Sequence, residues 1–412
     1  MNSQYHTMKY INRSLQKTLD KALNISPAVL LAGARQIGKT TLVSQLQREY
    51  IVMDDITQLA AANSDPQGYI QSIDKPITLD EIQKAVHLLT PIKLYIDQHR
   101  NNGDFLLTGS ANVLDLKKSN ESLAGRLIEI KLHPFTAKEK NKDYETNIVN
   151  DLFAGKFNKI ELNKNHHKRV NSFILEGGYP VAFSMNTAKE RFMWFNSYIS
   201  TYIERDIRSI GELRNLDNFI WFFNVLAPRT ATILNKSNIA NDTQLNAITL
   251  DNYISLLEKV YQIYLLKPYA ENIGKTFIKA PKVYLTDSGI AAHMFGVREV
   301  SDLNNSIHKG KIVETFVFTE LLKYIDYSNS IIEYFYYRTQ DKKEIDFILK
   351  RNNEILAIEV KSAHSVATKD FNHIIDFQKR SQYQVTGIVF YNGEKIVPFA
   401  KNLFAIPLSV FL

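Results

Sequence analysis

Short apolar runs, each closed by a polar or glycine-containing tip, set the rhythm of the first third of the chain. Ala28 to Ala32 is wholly apolar, and similar runs lie within 50–55, 76–81 and 104–110. Runs of that length predict buried strands, and the alternation at 127–130 predicts an edge strand. The longer, helix-compatible segments between them predict a parallel sheet with helices on both faces. From 138 to 172 the pattern turns polar and lysine- and asparagine-rich, which predicts a solvated helical connector. Phe192, Trp194, Phe195, Tyr198 and Tyr202 then recur at the spacing of a packed helix face. A short helix starting at Lys236, a turn, and a longer helix capped by Thr249 are followed by strands at 264–269 and 282–286, which flank a basic loop with Lys275 and Lys279. Near the C-terminus a helix through 312–317 precedes two strands, 344–349 and 355–360, joined by a turn at 351–353. The expected division is 1–136, 137–226, 227–290 and 291–412.

Chemistry enters where the first strand ends. Gly33-Ala34-Arg35-Gln36-Ile37-Gly38-Lys39-Thr40-Thr41 has the spacing of a phosphate-binding P-loop, between a strand and a helix as that loop requires. Gly33 and Gly38 allow the tight turn that points backbone N–H groups at phosphate. Lys39 would reach the β- and γ-phosphates of ATP, and the Thr40 hydroxyl would ligate Mg²⁺. The strand at 76–81 ends in Asp80 and Glu81, the arrangement in which one carboxylate holds Mg²⁺ and the other activates water. The competing account is an acidic helix start. Thr108 and Ser110, at the tip of the next strand, are candidates to sense the γ-phosphate. Arg126, before the edge strand, is either a structural ion-pair residue or a finger on the γ-phosphate of its own or a neighbouring subunit, the latter implying a homo-oligomer.

Asp346, a hairpin, and Glu359-x-Lys361 form the second constellation. This order matches metal-dependent nucleases of the restriction-endonuclease fold: Asp346 and Glu359 would hold Mg²⁺, Lys361 would position water, and Glu314 would add a ligand. The same fold also serves as an inert binding module. Gln378 and Tyr383 lie five apart where several active relatives of that fold have four.

The motifs at 33–41, 80–84, 107–110 and 122–126 resemble those of predicted prokaryotic AAA-type ATPases that carry a C-terminal domain of unknown function. The resemblance continues through 175–180 and 203–207 to the C-terminus. It implies an α/β chain: a P-loop AAA-type ATPase core, a helical and winged-helix middle, and a restriction-endonuclease-like α/β C-terminal domain. Glu204-Arg205-Asp206 resembles the matching family motif, in which Arg205 either contacts nucleotide or links domains, or serves a structural ion pair.

Composition narrows the partners. The 412 residues contain no cysteine, which removes disulfides, thiolate metal sites and a cysteine nucleophile. No apolar run approaches the ~20 residues of a membrane span, and the first ten residues lack a signal core, so a cytoplasmic protein with no membrane partner is expected. A net charge of +7 admits nucleic acid, DNA ahead of RNA. The run with Lys156, Lys159, Lys164, His166, His167, Lys168 and Arg169 is either such a patch or a solvated face. The 236–286 region serves equally a DNA-reading winged helix or a protein contact.

Overall fold

The computed structural model describes residues 10–110, 123–157, 160, 162, 165–203, 215–270, 280–328 and 330–412, without the side chains of 202 and 203. Ser122, Lys159, Lys164, Glu204 to Asp206, Lys275 and Lys279 lie outside them.

Five parallel strands form the first sheet: β1 (Ala28–Ala32), β2 (Glu49–Val52), β3 (Ile77–Asp80), β4 (Phe105–Gly109) and β5 (Leu127–Lys131), in the order β2-β3-β4-β1-β5. β1, β3 and β4 are buried along their whole length, as apolar runs covered on both faces must be. One face packs on the helices from 56 to 99 through Leu30, Leu79, Ile92 and Phe105. The other packs on helix Gln16–Ile25 and on the middle of the chain through Leu31, Leu106, Phe195 and Phe222. β2 stops earlier than its apolar pattern suggests. Asp55 instead caps helix Ile56–Ser64, accepting from the N–H groups of Thr57 and Gln58.

The middle opens with helices His166–Glu176, Pro180–Ser184 and Ala188–Ser197. Helix Leu216–Leu226, β6 (Thr232–Ile233), helices Lys236–Thr243 and Ala247–Lys259, β7 (Ile263–Leu266) and β8 (Lys282–Leu285) follow, and the strands pair antiparallel as β6-β8-β7. The longer helix starts one turn before the expected cap. Asn246 caps it, accepting from Thr249 N–H at 2.9 Å, so Thr249 lies inside the first turn.

After helix Lys309–Asp326 come β9 (Glu333–Arg338), β10 (Glu344–Arg351), β11 (Glu354–Lys361), helix Asn372–Arg380, β12 (Gln384–Tyr391), β13 (Val397–Ala400) and β14 (Leu403–Pro407). They form a mixed sheet, β13-β14-β12-β11-β10-β9. Helix Lys309–Asp326 is bolted to the chain just past the first sheet. Lys323 Nζ donates to Phe135 O (2.9 Å), and Glu320 accepts from Ala137 N–H (3.0 Å). One hydrophobic core runs from Ala137 through Phe173 and Val317 to Phe411. The connector and the C-terminal region therefore share an interior instead of meeting at a linker.

Candidate functional sites

The P-loop is shaped by backbone that only small residues accept. Gly33 has φ +148°, and a Cβ there would lie 2.3 Å from Leu132 O; Gly38 follows at φ +94°. Lys39 is buried, its ammonium donating to the carbonyls of Gly33 and Ala34 at 2.8 Å each. Those are neutral acceptors inside the loop. Arg13 braces the loop from below: Nη1 donates to Ile37 O (2.9 Å), Nη2 to His133 O (2.5 Å) and Nε to Glu139 Oε1 (3.3 Å). Arg13 gave no signal in the sequence beyond preceding the first amphipathic helix.

Asp80, 3% exposed at the end of β3, is surrounded by hydroxyls. Thr40 Oγ1 donates to it at 3.0 Å, and Tyr50 OH and Thr108 Oγ1 complete the set. Burial, then the hydrogen bond to Asp80, raises the Tyr50 phenol, keeping it a donor at neutral pH. Glu81 follows with φ +59°, a left-handed position uncommon for a non-glycine residue. Its carboxylate accepts from Gln83 Nε2 and, at 3.5 Å, from Ser110 Oγ, while Gln83 also donates to Ser110 at 2.9 Å. The strand order thus brings together Lys39, Thr40, Asp80, Glu81, Thr108 and Ser110. It adds Tyr50 and Gln83, which the sequence reading had not singled out, although Gln83 lay inside a quoted motif. These donors suit Mg²⁺ with a nucleoside triphosphate: an ammonium, a hydroxyl and an adjacent carboxylate whose charge no cation neutralises in these contacts.

Arg126 does not join them. It precedes β5, and its carbonyl accepts from Ala28 N–H at the amino end of β1, opposite the loop. Four residues of strand, roughly 13 Å, separate the two ends. The guanidinium pairs with Asp97 at 2.5 Å and donates to Ala124 O. A reach to the γ-phosphate of its own subunit is therefore excluded in this arrangement, because parallel pairing puts the start of β5 and the end of β1 at opposite ends of the two strands.

The C-terminal constellation converges, but not on open space. β10 and β11 pair antiparallel with Phe347 opposite Ile358, which sets Asp346 beside Glu359, and Asp346 accepts from Val360 N–H at 2.9 Å. Glu359 pairs with Lys361 at 3.4 Å. At the focus of the acidic groups stands Lys282, from β8, 2% exposed. Its ammonium lies 2.5 Å from Glu344, 3.2 Å from Glu314 and 3.4 Å from Asp346. Tyr284 OH donates to Glu314 Oε1 at 2.6 Å. Burial, with the Asp346 charge, pushes Glu314 up to about 7, and burial also raises Glu359. Burial alone would lower Lys282, but Tyr284 and the carboxylates outweigh it and raise it. Among the described residues no group of three or more acidic or histidine side chains is arranged to hold a metal ion. The expectation that Glu314, Asp346, Glu359 and Lys361 form a Mg²⁺ centre is corrected accordingly: a lysine from another region occupies their focus. Gln378 and Tyr383 serve the scaffold, donating to Val385 O and accepting from Lys350.

Residues 26–141 match the family described as an AAA domain. That stretch, which holds the P-loop, is thus similar to AAA domains. Residues 167–301 and 309–411 match two domains of unknown function (DUF8612 and DUF4143). The chain is 25% identical over 405 residues to an uncharacterised protein of Mycobacterium tuberculosis, covering 97% of this chain and 84% of that one. It is 25% identical over 365 residues to an uncharacterised protein of Haemophilus influenzae, covering 80% and 81%. Among solved structures, AMPPCP-bound DnaA from Aquifex aeolicus aligns with 59% of this chain and 86% of its own at 15% identity, with a TM-score of 0.23. Protein VC1899 from Vibrio cholerae aligns with 92% and 94% at 10% identity, with a TM-score of 0.20. Among the described residues no helix is long and apolar enough to cross a membrane.

The P-loop region is tied to the middle region by buried hydroxyls. Tyr198 OH donates to Arg35 O in the P-loop (3.4 Å), lies 3.0 Å from Tyr179 OH and accepts from Gln262 Nε2 (3.1 Å). Tyr198, expected only as part of a packed face, therefore touches the loop that would cradle phosphate.

Proposed function

We propose that this protein binds ATP with Mg²⁺ at the Gly33–Thr41 loop, hydrolyses it with Glu81 as general base, and uses the cycle as a switch governing contact with a macromolecular partner. The observation that carries the reading is the convergence of Lys39, Thr40 and Asp80 with a Glu81 carboxylate oriented by Gln83 and Ser110. Thr40 and Asp80 would hold Mg²⁺, which supplies charge neutralisation at the β- and γ-oxygens. Lys39 turns from the loop carbonyls to the same oxygens. Glu81 takes a proton from water as the oxygen attacks the γ-phosphorus, and the bond to the β-phosphate oxygen breaks to leave ADP and phosphate. Ser110 and Thr108 hold the two carboxylates in register. The test is Glu81→Gln: the amide keeps the shape and loses the base, so ATP stays bound while phosphate release falls about 10²-fold. Turnover within about threefold of wild type refutes the assignment.

The switch is preferred to DNA cleavage because Lys282 stands where a nuclease metal would. The C-terminal domain, with its restriction-endonuclease-like order of helix, strand, hairpin and strand, then acts as a docking module. A second reading, action on DNA through the middle, draws support from the order helix, strand, two helices, two strands between 216 and 285, which fits a winged helix. Against it, helix Ala247–Lys259 carries Asp251 and Glu258 against Lys259 alone, a poor match to a phosphate backbone. DNA-stimulated phosphate release favours the second reading; ATP-dependent retention of a protein but not of DNA favours the first. Arg126, paired with Asp97 near the surface, is either a structural ion-pair residue or a finger in a neighbouring subunit's site, and Arg126→Ala separates the two through the concentration dependence of turnover.

A further inference from the structure

β8 contributes two polar side chains to a centre built by another part of the chain. Lys282 and Tyr284, two positions apart, lie on one face of the strand and meet Glu314 together. The β7–β8 pair is itself docked on the C-terminal sheet. Tyr269 N–H donates to Tyr336 O at 2.6 Å, Tyr336 N–H donates to Lys267 O at 3.0 Å, and Pro268 bridges to Tyr336. Tyr336 OH reaches back to Ala280 O. A buried ammonium requires paired charge, and here three carboxylates supply it.

We propose that Lys282 is a built-in substitute for a metal ion: it holds the C-terminal carboxylate centre closed to divalent cations, and withdrawing it turns that centre into a divalent-cation site. Spacing and charge both support this. The carboxylates hold the ammonium nitrogen at 2.5 to 3.4 Å, whereas a small divalent ion draws oxygens to about 2.0–2.6 Å, so the same groups need close by only about 1 Å. Without Lys282, the cations left in contact with the four carboxylates among the described residues are Arg338 on Glu344, Lys361 on Glu359 and the distant ring of His373. Glu314 and Asp346 would then face each other with no cation in contact, and a divalent ion would restore the balance. Lys282 rides on β8, so a partner that binds the middle region and lifts β7–β8 from the edge of β9 would withdraw the lysine and open the centre.

The experiment uses full-length, nucleotide-free protein and Mn²⁺ alone. Wild type is expected to bind no Mn²⁺ at this centre in calorimetry and paramagnetic relaxation. Lys282→Met, similar in shape and uncharged, is expected to melt lower in metal-free buffer, to bind one Mn²⁺, and to recover its melting temperature as Mn²⁺ is added. Asp346→Asn in that background should abolish both effects. A folded Lys282→Met protein that binds no Mn²⁺ overturns the proposal. Should the single variant fail to fold, Lys282→Met with Glu344→Gln removes the carboxylate nearest the ammonium and is judged the same way. Wild-type protein decides the matter independently: Mn²⁺ binding there that Asp346→Asn removes would show that the lysine excludes nothing.

Discussion

The P-loop region and the C-terminal region each gather carboxylates and a lysine at the ends of neighbouring strands, yet their chemistry differs. In the P-loop region the hydroxyls of Thr40, Tyr50 and Thr108 donate to Asp80, and Lys39 donates to two backbone carbonyls. Neutral partners of this kind orient a charged group without cancelling it. In the C-terminal domain Glu314, Glu344 and Asp346 share the ammonium of Lys282, and the demand for a cation is met internally. A pattern of acidic residues shows where charge collects; its immediate partners show whether that charge is on offer.

The largest expected difference comes from deleting each lysine's charge. Lys39→Ala should weaken ATP binding by about 10²-fold or more, because it removes the charge that neutralises the β- and γ-oxygens. Lys282→Met should leave turnover at saturating ATP within about threefold of wild type. Nucleotide affinity and phosphate release measured on both proteins would break the comparison if the two variants behaved alike.

An intermediate effect comes from the frame of the loop. Gly33→Ala places a Cβ against Leu132 O at a φ that side chains avoid, so it should cost about 2 kcal/mol or more of stability and lower nucleotide affinity together. Thermal unfolding with and without ATP checks this; a wild-type melting temperature would mean that the loop tolerates more than its backbone suggests.

The smallest effect tests the scaffold between the two centres. His293, on helix Ser288–Met294 beside the Phe192 and Phe195 rings, is pushed down to about 4 by burial and then by Arg298. A histidine depressed below its unfolded value near 6.5 contributes stability above that value and loses it as pH falls from about 6.5 through 4. His293→Gln should flatten that part of the stability curve, read as melting temperature from pH 7 to 4. An unchanged acid slope would assign the sensitivity elsewhere.

How much could be read in advance varies with the distance over which a contact acts. The P-loop, Asp80–Glu81 and the Thr108–Ser110 tip were legible because each is a contiguous strand with its own turn, and strands of one parallel sheet place their tips together. For Arg126 the sequence left an ion pair and a phosphate finger both open, because its position in the chain does not show which end of the sheet it faces; that follows from β5 running parallel to β1, and the guanidinium pairs with Asp97. Thr249 gave way to Asn246 because both suit a helix start and only backbone geometry separates them. Lys282 had been read simply as the beginning of a strand. Its partners lie 32 to 64 residues away, and no local pattern ties them to it.

By itself the sequence determined the P-loop sheet and the order of elements on either side of the C-terminal hairpin, because period, glycine placement and turn residues act within a few residues of one another. Which cation each acidic centre sees was decided only by the tertiary structure. Burial forces every charge to find a partner, and the partner is whatever the packing of distant segments brings within about 3 Å: hydroxyls and carbonyls around Asp80 and Lys39, but an ammonium between Glu314 and Asp346.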